Sequence, residues 1–151
     1  MRRRQALDTQ GRGPTRRRQP EAAEQRAIVG LLRTVGCEVW VTGTHRRRGD
    51  YQGTMMTPGL PDVIALLPGD RGVLFVEVKA EGGRLRPDQI RFRDACLRAM
   101  DAGRGVTYAT GGLDAVIVTL IGLGLLKPDQ VPYYRLPAGL ATGPLADAED
   151  A

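Results

Sequence analysis

Apolar residues recur along the chain in two rhythms, and the switches between them mark out its elements. From Glu21 to Val35, apolar side chains fall at Ile28, Leu31, Leu32 and Val35, a helical stripe. Pro20 suits the start of that helix and Gly36 its stop. Glu38 to Val41 then reads as a short strand. Asp62 to Leu67 and Val73 to Val78 are apolar runs of strand length, separated by Pro68-Gly69-Asp70-Arg71-Gly72, a turn by composition. The second run is nearly continuous, as expected of a strand inside a sheet. Glu81-Gly82-Gly83 breaks it. A helix opens at Pro87, with Ile90, Phe92, Cys96, Leu97 and Met100 as its apolar side, and ends at Gly103 and Gly105. Val106 to Ala109 predicts a further strand, and Leu113 to about Gly122 a third helix. The strand–helix–strand order after Val73 is that of a parallel crossover. The expected fold class is therefore α/β with a mixed sheet.

The ends are different in kind. Residues 1–19 are rich in Arg, Gln and Gly with almost no apolar side chains, and are expected to be a disordered basic tail. The folded domain is expected over 20–126. From Lys127 the chain is rich in Pro and Gly and closes acidic, which predicts a flexible C-terminal tail over 127–151. Between Thr42 and Pro61 runs a segment with Gly, Arg and Thr, long enough that a compact domain would keep it only for function or mobility.

Composition narrows the chemistry. A single histidine, His45, removes His-pair catalysis and multi-His metal sites. Cys37 and Cys96 are too few and too far apart for a disulfide scaffold or a zinc site, and are expected as reduced, buried thiols. No stretch of about 18 apolar residues points to a membrane span. The basic start is not followed by an apolar signal core, so a cytoplasmic location is expected. The formal charge is +5. Its arginines crowd into two places, Arg16-Arg17-Arg18 within the first segment and Arg46-Arg47-Arg48 in the long loop. Guanidinium forks match phosphate oxygens, so these residues are the expected nucleic-acid contacts.

The hairpin supplies a more specific signal. With Gly69 and Asp70 as its central residues, Ile64 faces Phe75 and Asp62 faces Glu77. Directly opposed residues have Cβ atoms about 4.5–5.5 Å apart on one face, and Lys79, two residues on, projects from that same face. Two opposed carboxylates on an apolar hairpin repel unless a cation lies between them. Mg²⁺ prefers oxygen ligands, so Asp62, Glu77 and a main-chain carbonyl such as that of Val78 would hold it. Lys79 could then position or deprotonate a water held by that cation, or stabilise charge developing on phosphorus.

Gly59-Leu60-Pro61-Asp62, Glu77-Val78-Lys79 and Leu85-Arg86-Pro87-Asp88-Gln89 together resemble the VRR-NUC family of the PD-(D/E)XK nucleases, over roughly Glu21 to Leu123. The resemblance implies a restriction-endonuclease-like mixed sheet flanked by helices, Mg²⁺ or Mn²⁺ dependence, and cleavage of DNA phosphodiesters. It implies metal ligation by Asp62 and Glu77, Lys79 as the catalytic lysine, and Gln89 beside the active site. Family members also carry a helix-1 glutamate near the metal. Here Glu21 and Glu24 both qualify, and the spacing to Gln25 favours Glu21. Small stand-alone members look like Holliday junction resolvases acting as homodimers, which implies branched DNA as the partner. Cleavage of linear or nicked duplex DNA uses the same residues. A non-catalytic nucleic-acid-binding module is a further alternative, but a decayed site would be expected to lack one of Asp62, Glu77 and Lys79.

Overall fold

The computed structural model describes residues 21–42 and 57–131. The expected tail 1–19, the arginine runs 16–18 and 46–48, most of the long loop, and residues 132–151 lie outside them. Helix α1 spans Glu21–Thr34, followed by strand β1 at Glu38–Val41. Strands β2 and β3 cover Val63–Leu66 and Val73–Val78. Helix α2 runs Pro87–Asp101, strand β4 Val106–Gly111 and helix α3 Leu113–Gly122. The four strands form one mixed α/β sheet in the order β1-β2-β3-β4. β1–β2 and β2–β3 are antiparallel, whereas β3–β4 is parallel across the α2 connection.

The alternation of side chains sorts the sheet into two faces. Val63, Ala65, Leu74, Val76 and Ala109 turn toward one face, where Ile28 and Leu32 of α1 and Val116, Ile117 and Leu120 of α3 complete the buried core. Each of the valines, leucines and isoleucines among them stabilises the fold by roughly 1.5–3 kcal/mol through burial, and the two alanines contribute less. On the other face Phe75 meets Phe92 of α2 edge-on at 5.1 Å between ring centroids, and Tyr108 lies 6.5 Å from the same Phe92. Ile64, paired with Phe75, shares this second face. Continuing the register one step brings Asp62 opposite Glu77 on it too.

The hairpin turn is held closed by the Leu67 N–H donating to the Gly72 carbonyl at 2.8 Å. Gly72 has φ 84°, and a Cβ there would lie 1.9 Å from the carbonyl oxygen of Gly105. Only glycine fits this crossing, where the hairpin turn and the loop leading into β4 touch. The β2–β3 register is thereby pinned from outside the hairpin as well as by its own turn.

Helix α2 departs from the sequence expectation in which side it buries. Ile90, Leu97 and Met100 are exposed, whereas Gln89 and Cys96 are buried and Phe92 packs on the sheet. The helix covers β4 and the adjoining part of β3, too narrow a strip to cover its whole apolar arc. At the other end of the domain, Pro128–Gln130 form a 3-10 turn and Val131 packs partly on the core beside buried Leu126. Both thiols, Cys37 and Cys96, are buried and free, as the composition implied.

Candidate active site

Asp62 stands one residue ahead of β2, Glu77 is the penultimate residue of β3, and Lys79 follows its end. The Leu67–Gly72 bond makes that pair a hydrogen-bonded one, and every second pair along an antiparallel ladder repeats the pattern. The series reaches Pro61 opposite Val78. Pro61 has no N–H to donate, so the ladder stops there and the carbonyl of Val78 is left without its strand donor. The freed N–H of Val78 donates instead to Asp62 Oδ2 at 2.8 Å. The Thr42 N–H donates to the carbonyl of Asp62 at 2.9 Å and fixes its main chain from the β1 side. Proline and aspartate in succession thus end the strand pairing and put a carboxylate in its place.

Glu77 is 1% exposed, the one buried acid among the described residues. Its Oε1 contacts Lys79 Nζ at 2.8 Å and accepts a hydrogen bond from Gln89 Nε2. Gln89 in turn accepts from the Arg86 N–H at 2.9 Å, so one side chain both caps the start of α2 and holds the Glu77 carboxylate. Burial pushes the Glu77 carboxyl above its ordinary value, and the charge of Asp62 pushes the same way. The hydrogen bond and charge of Lys79 act against both. A carboxylate kept in low-dielectric surroundings beside a second carboxylate calls for positive charge, which Lys79 supplies only in part.

The donor set fits a hard divalent cation: two carboxylates on adjacent strands and a main-chain carbonyl left out of the ladder, all oxygen. Among the described residues, no group of three or more His, Cys, Asp and Glu side chains is arranged to hold a metal ion. Any such ion would therefore depend on the carbonyl and on water for its remaining ligands.

The two candidate acids of α1 go to different places. Glu24 Oε2 accepts from the Leu113 N–H at 2.7 Å, capping α3, whose preceding residue is glycine with no side chain to do so. Gly112 leaves room for this contact, because a Cβ there would lie 2.9 Å from Glu24 Oε2. Glu21 is exposed, and its Oε1 lies 3.5 Å from the Ala80 N–H, beside the strand end that carries Lys79.

Beyond Lys79 the site opens into a groove of about 710 Å³ between the loop after β3 and the start of α3. Gly111 and Gly112 line this groove with Lys79, Thr110 and Glu24. The sequence offered one usable signal for Thr110, its place at the end of the strand that follows the crossover. The register that sets it beside Glu77 is absent from local spacing.

The VRR-NUC domain family model matches residues 19–110, more than half of the chain. A solved structure described as a VRR_NUC domain is 26% identical, with 68% of this chain and 94% of that chain covered and a TM-score of 0.45. No curated protein matches the chain.

Proposed function

We propose, from the premise that the chain belongs to the VRR-NUC family of nuclease domains, that it is a metal-dependent endonuclease that hydrolyses DNA phosphodiesters. One observation carries this reading most directly: Glu77 is buried beside Asp62 while Lys79 and Gln89 grip its carboxylate. A structural acid has no need of such a place, because an exposed glutamate would avoid the cost of desolvation. Asp62, Glu77 and the Val78 carbonyl would hold Mg²⁺ or Mn²⁺, which when bound supplies positive charge to the phosphodiester and acidifies water.

The chain's own residues divide the remaining work. The Val78 N–H fixes the rotamer of Asp62, and Gln89 fixes that of Glu77. Lys79, whose side chain is 18% exposed, reaches from buried Glu77 to the groove. Its ammonium is placed to orient an attacking water or to stabilise charge building on the phosphoryl oxygens. Glu21 is the α1 acid assigned to the outer margin of the site. The arginines 16–18 and 46–48, with the chain's +5 charge, are assigned to the DNA backbone.

Branched DNA is the proposed substrate, as the resemblance to the family implies. A homodimer with two sites about a two-fold axis would cut two strands symmetrically. None of the described helices is long and apolar enough to cross a membrane.

The test is cleavage of a labelled four-way junction and a matched linear duplex, each with Mg²⁺, Mn²⁺ or EDTA, beside a Lys79→Ala variant. Symmetric, metal-dependent cuts on the junction, lost in the variant, are the expected result. Equal cutting of both substrates would keep the nuclease and discard junction selectivity. Binding without cleavage in any metal would discard the enzyme.

A further inference from the structure

Three side chains from three adjacent strands form one row across the end of the sheet. The β2–β3 register, continued one step, sets Asp62 against Glu77, and the β3–β4 register sets Glu77 against Thr110. Paired strands lie about 4.8 Å apart, so Thr110 flanks the buried glutamate on the side away from Asp62. Its side chain is exposed, although Ala109 before it is buried, and it lines the groove together with Lys79.

A threonine at a strand end is ordinarily a good β-former and nothing more. Its surroundings make this one different. Lys79 is the one cation among the described groove residues, whose other charged members are Glu24, Glu81 and Asp114. A phosphodiester is therefore drawn to the Lys79–Thr110 end of the groove and repelled by these carboxylates. At that end it needs neutral donors, and a hydroxyl supplies one without disturbing the balance of charge.

We propose that the Thr110 hydroxyl donates a hydrogen bond to a non-bridging oxygen of the phosphodiester bound against Glu77 and Lys79. The assignment rests on the nuclease reading above and adds a substrate contact to it.

The experiment compares full-length wild type, Thr110→Val, Thr110→Ser and Thr110→Ala on a DNA substrate that the wild type cuts, with kcat and KM separated and thermal unfolding run alongside. Valine keeps the shape and β-preference but lacks the hydroxyl. It should lower kcat/KM by about 10- to 100-fold, the range for a lost hydrogen bond to a charged group. Serine should stay within about threefold of wild type on the same scale. Alanine should match valine, and unfolding temperatures should change little at this exposed position. Valine cutting as well as wild type would overturn the assignment, as would serine losing as much as valine. Wild type that cuts no DNA in any metal would overturn the nuclease reading and this contact with it. An active wild type with an equally active valine variant would overturn the contact alone.

Discussion

Replacing Gln89 by methionine tests whether the site is held by the network described for it. Methionine has nearly the same length and no hydrogen-bonding group of comparable strength, so the change leaves little cavity. Two bonds disappear: the one donated to Glu77 Oε1 and the one accepted from the Arg86 N–H. The first serves a carboxylate that is 1% exposed and has few substitutes, and a hydrogen bond to a charged group contributes about 1.5–3 kcal/mol. The second is a cap whose donor belongs to an exposed residue, so water recovers part of its roughly 1 kcal/mol. Added apolar burial offsets some of the loss, leaving a net destabilisation of about 2–3 kcal/mol. For a domain of this size that lowers the unfolding temperature by roughly 8–20 °C. The assay is thermal unfolding in EDTA, repeated over a range of pH. Losing the donor raises the Glu77 carboxyl further above its ordinary value of 4.5. The folded variant then binds protons more tightly than folded wild type, so the deficit should shrink as pH falls toward the usual glutamate range. An unfolding temperature within about 2 °C of wild type would refute the reasoning. So would a deficit that grows on acidification.

Three further outcomes are expected. Mg²⁺ or Mn²⁺ at ten times its dissociation constant should stabilise wild type by about 1.4 kcal/mol, whereas Asp62→Asn should gain almost nothing and lose cleavage; calorimetric scans with and without metal check it. Burial pushes the Tyr108 phenol up to about 12 from an ordinary 10. The folded state therefore holds that proton longer than the unfolded chain, and stability from this group is full below pH 10 and lost as pH rises through 12. Tyr108→Phe should flatten that decline and remove the latest-ionising component from the tyrosinate absorbance titration. Gly72→Ala should cost at least about 2 kcal/mol, since the new methyl group meets the Gly105 carbonyl at 1.9 Å on a positive-φ backbone; a urea midpoint unchanged from wild type would contradict the crossing described.

The sequence by itself determined the hairpin and what stands on it. Turn residues between two apolar runs set the β2–β3 register, and strict alternation along each strand then places Asp62, Glu77 and Lys79 on one face. Those quantities are local, decided within some twenty residues of chain, and the element boundaries follow from similarly local glycines and prolines. Only the tertiary structure sends Glu21 and Glu24 to different places. Three residues apart, they share a helix face in any reading of the sequence. What separates them is that α3 begins against Glu24 while β3 ends against Glu21. The same holds for Thr110, because no turn joins β3 to β4. Their parallel register is set by how α2 packs on its way across, and the exposed Ile90, Leu97 and Met100 show that its apolar pattern left that packing undetermined. Local spacing fixes what neighbouring residues share; contacts between distant segments depend on the depth and rotation at which helices settle on the sheet, and only the summed packing of the core sets those.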